Sequence, residues 1–569
     1  MGKEEEMNRK EILFLILALA IALAVRIYFI PAPAYEQDFK NLKTWSQATV
    51  EHGVHNIYDK TDCDYPPAYL YVCKAVGYSY RIFYPKYDEH TYLFDFLVKM
   101  PAILADIIAS FIIFWFVRKK NTYAVSFAVM AAYAFNPAII LNSTWGTVDS
   151  VLLALAAVLA LINDKHGWAW GLITVGILTK IQLIVLVPII IFVTWKRKGF
   201  KTLINSIAVA WCTLIVILLP FFCFHQIDKV IDCIFNAVGE YPYLSLYAFN
   251  FWWLISGGQG RWASDARLLF DGVTLRMIGT ILYGIFYLLL IKYLFNKEKD
   301  EDAIFLGSFL AIFSFFMLPT EMHERYIIPA LIFLLLAAVK DRKLMLTYVV
   351  LSFTTFLSLL FVLFWTYPKN YPQFSHLWQP SQVGMILSLI NVALYLFVLY
   401  RIVKDIKLKY IGSFFAAIII LFGGLHFLKP IQPVYLGDIQ SKAFYQQWGK
   451  LRIDRSVNGS PLTVNGFKYS KGIGTHAYSS IEYILGGRYS ILDGAVGLDD
   501  EAASGNKIQA WIYADNNLIY NSGIMTSWID PHYFRLNIKG VKDIRLVITD
   551  GGDGINCDHS DWLGIKALP

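Results

Sequence analysis

Long apolar runs separated by short clusters of charge fill the first three quarters of the chain, and a period-two alternation replaces them after about Ala443. A bilayer-spanning helix needs about 20 consecutive apolar residues. Runs of that kind predict helices at Ile12–Ile30, Tyr92–Val117, Tyr123–Leu141, Leu203–Phe224, Val273–Phe295, Ala303–Leu318, Tyr326–Val339, Leu344–Trp365, Val383–Tyr400 and Ile411–Leu428. The stretch from Asp149 to Trp195 is broken at Asn163–His166 and at Lys180, which fits three short crossings. Ala68–Phe83 is expected to lie flat on the outer surface. The count is about thirteen crossings. Ile12–Ile30 is read as the first crossing, since the run is too long for a signal peptide and no small-residue cleavage site follows.

From about Ala443 the strands are short and separated by turns such as "NN", "NG" and "DGGDG". Ile508, Ala510 and Ile512 alternate with Gln509, Trp511 and Tyr513; Ile544, Leu546 and Ile548 repeat the pattern. This predicts an all-β sandwich. The expected organisation is a multi-spanning α-helical membrane domain at 1–428, a linker at 429–442, and a β-sandwich at 443–569.

Composition agrees. The 569 residues are 57% hydrophobic and 16% charged, whereas soluble domains are about 45–50% apolar and about a quarter charged. The net charge of +7 comes with no concentrated basic tract, so nucleic acid is not an expected partner. The loops Met1–Glu11, Arg118–Asn121, Asn163–His166, Lys196–Lys201, Lys292–Asp302, Lys340–Lys343 and Arg401–Lys409 together hold 21 Lys and Arg. The short turns opposite hold only Lys180, Arg325 and Lys369. By the positive-inside rule the basic side is cytoplasmic, with the N-terminus inside and the C-terminal domain outside. The six cysteines show no paired spacing and are read as unpaired.

The polar interruptions of the apolar runs all fall on the outer side: Tyr35–Phe39, Asp62–Tyr69, Asn142–Ser150, Thr179–Gln182 and "TEMHERY" at Thr320–Tyr326. Asp38 and Asp64 are carboxylates at the membrane mouth, suited to general-base work if they reach an acceptor hydroxyl; most such residues are solvated loop acids. Arg325 offers a planar fork of donors that matches phosphate oxygens. Its bland alternative is pairing within the His323–Glu324–Arg325 run. Arg26, one turn inside the first helix, is either a second phosphate cation or a residue snorkelling to the interface. Asp149 beside Trp145 caps a helix or lines the site. Lys180 and Gln182 sit in a break between apolar stretches, where a lysine is costly unless functional or interfacial. The Tyr- and Trp-rich segment Gln226–Gly272 either closes over the site or forms an interfacial aromatic belt.

The ordered motifs "QDFKNLKTWSQATVEHGVHNIYD", "DYPPAYLYV", "NPAIILNSTWGTVDS", "TKIQ" and "MHERYIIPAL" resemble those of multi-spanning glycosyltransferases that use polyprenyl-phosphate sugars. This is the GT-C class, and the mannosyltransferases of GPI-anchor assembly and their bacterial cousins are the nearest in pattern. The resemblance covers about Ile12 to Leu428. It implies Asp38 as catalytic base and Lys180, His323 and Arg325 (with Arg26) at the donor phosphate. It also implies a substrate cleft that includes Asp64, Tyr65, Trp145, Asp149, Gln182 and Glu324. Ile181 stands where the family often has Pro, which weakens the assignment of Lys180. A divalent metal near Asp38 is left open. The implied partners are a polyprenyl-phosphate sugar donor, with mannose the expected sugar, and a glycan acceptor; the implied setting is a plasma membrane. A flippase for lipid-linked sugar is the main alternative, though it would favour midplane ionisable residues on repeated broken helices. A non-enzymatic anchor is a weaker one.

"KGIGTHAYSSIEYIL", "AVGLDDEA", "NNLIYNSG" and "LVITDGGDGINCDHSDWLGIKAL" resemble the NPCBM type of carbohydrate-binding module over about Ala443 to Leu568. That implies a jelly-roll sandwich, with Trp511, Tyr513, Trp528 and Trp562 as candidate sugar-stacking faces. Asp550, Asp553 and Asp558 are candidate calcium ligands, and turn formation is the bland alternative. "THA" at Thr475–Ala477 is expected to be structural.

Overall fold

The computed structural model describes every residue except 1–6, 88–90, 147–149, 237–242, 259, 262, 264, 266–267, 271–272, 367–379, 406–432, 503–504 and 569. The chain divides into a helical unit and a β unit, the first containing Met1–Arg261 and Leu268–Phe427, the second Trp262–Arg267 and Leu428–Pro569. Asp149 and the expected helix Ile411–Leu428 lie outside the described residues.

Among the described residues of the helical unit, six helices are long and apolar enough to cross a membrane: Arg9–Tyr28, Tyr92–Arg118, Ile181–Cys223, Leu275–Leu294, Arg342–Phe364 and Gln382–Lys404. Tyr123–Ala134 and Pro137–Thr144 form a seventh, bent by 46°. The bend follows from Asn136-Pro137. Proline cannot donate to the preceding turn, and Asn136 restarts the helix by accepting from Ala138 N at 2.9 Å. Shorter apolar helices complete the bundle, and two of them, Glu301–Met317 and Ile328–Ala337, are almost wholly buried. The predicted breaks in 149–195 separate Val151–Ile162, His166–Thr179 and the 3-10 turn Ile181–Leu186. Within Val187–Cys223 the helix is interrupted at Gly199, whose φ of 79° is open to glycine at little cost. Pro67–Arg81 is an amphipathic helix packed on Glu36–Glu51. Gly77 permits the approach, because a Cβ there would lie 2.2 Å from the Ser46 carbonyl.

Arg26 is fully buried. Its Nε meets Asp106 Oδ2 at 3.1 Å, and its Nη1 donates to the carbonyls of Ala22 (3.2 Å) and Ala134 (2.8 Å). The guanidinium therefore joins three helices through their polar groups, and the expectation of a phosphate-binding or snorkelling residue is corrected. A buried cation is tolerated when it is paired.

The basic loops gather at one end. Arg197 donates to Leu161 O (3.2 Å) and Ile162 O (3.0 Å), contacts Asp164 at 3.2 Å, and reaches Glu298 O at 2.5 Å. Lys120 pairs with Glu301 at 2.7 Å, Lys340 with Asp302 at 3.8 Å, and Arg401 with Asp341 at 2.5 Å. Six loops separated by up to 280 residues thus share one face of the unit, as their common charge predicts.

The β unit is a sandwich of antiparallel strands. One sheet runs in the order Asn517–Thr526, Lys507–Ala514, Asp543–Thr549, Ser479–Ile484, Ala443–Gln446. The other runs His532–Asn537, Ile491–Leu498, His559–Leu568, Gly472–His476, Arg452–Ile453. The alternation read from sequence is realised: Ile508, Ala510, Ile512, Ile544, Leu546 and Ile548 are all buried between the sheets. The expected linker is shorter than 429–442, because Val434 and Tyr435 pair with Ala567 and Lys566 and Leu436 is in the core. Trp562 is also fully buried in that core, so its expectation as a sugar-stacking face is corrected. Strand alternation turns it inward, where an aromatic ring contributes most.

Candidate functional site

The charged residues of "HERY" do not pair only among themselves. Met317 ends one helix and Ile328 begins the next, and the 3-10 turn Glu324–Ile327 between them aims Arg325 sideways. Arg325 Nη1 lies 2.5 Å from Asp38 Oδ2 on the helix Glu36–Glu51. This ion pair closes a separation of 287 residues. The guanidinium also sits 5.7 Å from the Tyr35 ring, and Tyr35 meets the buried Trp145 edge-on at 5.7 Å. Lys180 lies 6.0 Å over the Tyr326 ring. Asn142, Ser150, Lys180, Gln182, Arg325 and Tyr326 line one cleft.

Electrostatics hold the groups in defined states. Burial opposes the charge on Arg325, but the Asp38 carboxylate outweighs it and the guanidinium stays ionised. Burial would push the Glu324 carboxyl up; the His323 hydrogen bond and the Arg325 charge reverse this and keep it below the usual carboxylate range. Burial raises the Tyr65 phenol despite the pull of Arg325, so Tyr65 remains a neutral hydroxyl within the field of Asp38 and Arg325. The site is thus a cationic fork and an ammonium near one carboxylate, with neutral hydroxyl and amide groups around them.

The expected residues divide clearly. Asp38, Tyr65, Trp145, Lys180, Gln182, Glu324 and Arg325 come together through the contacts above. His323 stands beside Glu324 at 3.8 Å and pairs with Leu246 and Tyr247 by backbone bridges. The described part of the aromatic segment Gln226–Gly272 is therefore attached to this turn, and Glu321 N donates to Tyr243 O at 3.0 Å. Asp64 is solvent-exposed beside Tyr65. Arg26 does not contribute.

Two residues were not singled out from sequence. Lys99, buried in Tyr92–Arg118, donates to the carbonyls of Ile30 (2.7 Å) and Ala32 (3.1 Å) and so fixes the turn that leads to Tyr35 and Asp38. The signal was present: a lysine inside an apolar run must satisfy its donors nearby. Tyr326, the last residue of "HERY", is the second. Gly146 (φ +78°) leaves room for Phe39, next to Asp38, since a Cβ would lie 2.8 Å from its ring.

In the β unit, Trp528 is 58% exposed, Trp511 and Tyr513 are half-buried, and Arg545 covers one face of Tyr513 at 4.5 Å. Among the described residues no group of three or more His, Cys, Asp or Glu is arranged to hold a metal ion. Asp550 instead accepts from Gly552 N at 3.2 Å, as in a turn, and Asp553 is exposed. Asp558 is fully buried, and burial, with Asp553 and Asp550 nearby, pushes its carboxyl up to about 7. Such a shift predicts a pH dependence. An unfolded aspartate titrates near 3.9, so the contribution of Asp558 is fully present below about 4 and is lost as pH rises to about 7. The melting temperature of the β-sandwich transition should fall across that window, and Asp558→Asn should flatten the fall. An unchanged slope in the variant would refute the assignment.

Comparison with known proteins places the β unit. Residues 432–567 match the sequence model of the NPCBM/NEW2 domain, so the chain carries an NPCBM domain behind a helical unit of membrane-spanning character. Alpha-1,3-galactosidase B of Akkermansia muciniphila is 30% identical over 124 residues, 21% of this chain. The chain spans only 16% of that relative's length. The CBM51 module of Clostridium perfringens GH95, solved with methyl-galactose, is 34% identical; the match covers 24% of this chain and all of that one, with a TM-score of 0.23. Arabinosyltransferase EmbB of Mycobacterium smegmatis aligns over 99% of this chain and 66% of its own at 11% identity, with a TM-score of 0.32. A score of that size does not establish a shared fold.

Proposed function

We propose that the protein is an integral-membrane, inverting glycosyltransferase. It moves a sugar, expected to be mannose, from a polyprenyl-phosphate donor to a hydroxyl of an extracytoplasmic glycan, lipid or protein. The observation that carries this reading is the convergence of Asp38, Arg325 and Lys180 on one cleft from segments remote in sequence. The motif order shared with GT-C enzymes supports it, and so does the NPCBM domain, since a sugar-binding module suits an enzyme with a glycan acceptor.

The chemistry needs few groups. Phosphate is a competent leaving group when cations hold its charge, a role for Arg325 and Lys180. Asp38 takes the proton of the acceptor hydroxyl as its oxygen attacks the anomeric carbon and the bond to phosphate breaks. Attack opposite the leaving group inverts the configuration. A hydrolase would require a second catalytic carboxyl group. Lys99 acts at a distance, by holding the turn before Asp38. The basic end faces the cytoplasm of a plasma membrane in this reading, with the cleft and the NPCBM domain outside.

The test is release of polyprenyl phosphate by the purified protein in nanodiscs, supplied with a panel of polyprenyl-phosphate sugars and glycan acceptors. Transfer from one donor is the expected result. Intact donors, with lipid-linked sugar crossing the bilayer, would replace the reading with a flippase. Loss of transfer on chelation would assign a divalent ion beside Asp38.

A further inference from the structure

We infer that the NPCBM domain binds a neutral pyranose at a site built from Trp448, His476 and His559. The inference rests on the reading that this domain binds carbohydrate, and it moves the site away from the aromatic residues singled out from sequence. The strand Gly472–His476 pairs with His559–Leu568 so that His476 stands directly opposite His559. Their rings are 5.3 Å apart, edge to face. Trp448 contacts both, at 4.9 Å and 5.5 Å. The exposures are graded as a binding site requires: Trp448 is 49% exposed, and beneath it His476 and His559 are 2% and 6% exposed.

The platform is held in place. Gln446 Nε2 donates to the Trp448 carbonyl at 2.7 Å, and Gln446 Oε1 accepts from Thr475 Oγ1 at 2.8 Å. Gln447 N donates to Tyr478 O at 2.9 Å. "THA" therefore does more than pack, because Thr475 positions the loop that carries Trp448.

The polar groups have capacity left for a ligand. His476 Nδ1 bonds the Ala477 carbonyl at 2.6 Å, which places its proton there and leaves Nε2 as an acceptor. His559 Nδ1 is buried without a hydrogen-bond partner among the described residues. A buried donor or acceptor left unmade costs about 1–3 kcal/mol, and a ligand hydroxyl would recover that cost. Burial lowers both imidazoles, so they are neutral near pH 7. Neutral imidazole nitrogens beside an indole face suit a sugar ring, which offers hydroxyls at its edge and C–H groups on its face. Asp499 and Glu501 act electrostatically on His559, and their negative charge selects against uronic and sialic acids.

The experiment uses the full-length protein in nanodiscs, titrated calorimetrically with methyl glycosides of galactose, glucose, mannose and N-acetylglucosamine, and with glucuronate. One neutral glycoside should bind and glucuronate should not. Trp448→Ala should weaken binding by about tenfold or more, as for an aromatic anchor, whereas Trp528→Ala should leave it within about twofold. Trp448→Leu, apolar but not aromatic, serves as a second variant should alanine disturb the loop. Unchanged affinity in the Trp448 variants, or loss only in Trp528→Ala, would overturn the site and leave the carbohydrate reading intact. Preferred binding of glucuronate would overturn the ligand class. No binding of any neutral glycoside would overturn the carbohydrate reading itself.

Discussion

Asp38→Asn is expected to lower sugar transfer by about 10²- to 10⁴-fold, the usual worth of a positioned general base, and at the same time to tighten the binding of polyprenyl phosphate. The two effects have one origin. With the cleft empty, Asp38 and Arg325 satisfy each other at 2.5 Å. A donor phosphate must compete with that carboxylate for the guanidinium, and asparagine removes the competitor. Arg325→Ala is expected to act in the opposite sense on binding. Hydrogen bonds to charged groups are worth about 1.5–3 kcal/mol, so affinity for polyprenyl phosphate should drop roughly 10- to 100-fold. Transfer rates and lipid binding, measured on both variants, separate these roles. Weaker phosphate binding in Asp38→Asn would mean that the pair is a structural clasp and that Arg325 does not meet the donor. Full transfer activity in that variant would remove Asp38 as base.

Asp106→Ala carries the second large expectation, a loss of about 3–5 kcal/mol in stability, because it leaves the Arg26 charge buried and uncompensated. Arg26 has no exposure to solvent and reaches helices other than its own through Asp106 and Ala134. Removing both charges, as in Arg26→Met with Asp106→Leu, should cost less than Asp106→Ala alone, since replacing a whole buried pair by apolar groups is often neutral. Titration with SDS, followed by tryptophan fluorescence, would report the order of stabilities. Polyprenyl phosphate binding per folded molecule should be unchanged in the double variant. A loss there would return Arg26 to the donor site.

Much of the architecture was legible in the chain. Apolar runs located the long helices because a bilayer accepts nothing else, and the basic loops shared one end because charge is excluded from its interior. The alternation at Lys507–Ala514 identified buried Ile508 and Ile512 because a strand turns every second side chain the same way. The motif order also pointed to the segments that meet at the cleft. Several roles were not legible. Arg26 and Arg325 look alike in sequence, each a lone cation at the edge of an apolar run. Only packing decided that one finds Asp106 inside the bundle and the other Asp38 at the mouth. Trp528 and Trp562 were equally eligible as sugar faces until the pairing of strands turned Trp562 into the core and left Trp528 exposed. Trp448 carried no signal at all, because its partners His476 and His559 lie 28 and 111 residues away. Periodicity and hydropathy are local properties, and the sequence by itself determined everything that follows from them: the helices, the strands, the two ends of the helical unit and the boundary between units. Ion pairs and aromatic clusters depend on which distant segments are brought within a few ångströms, and only the tertiary structure decided those.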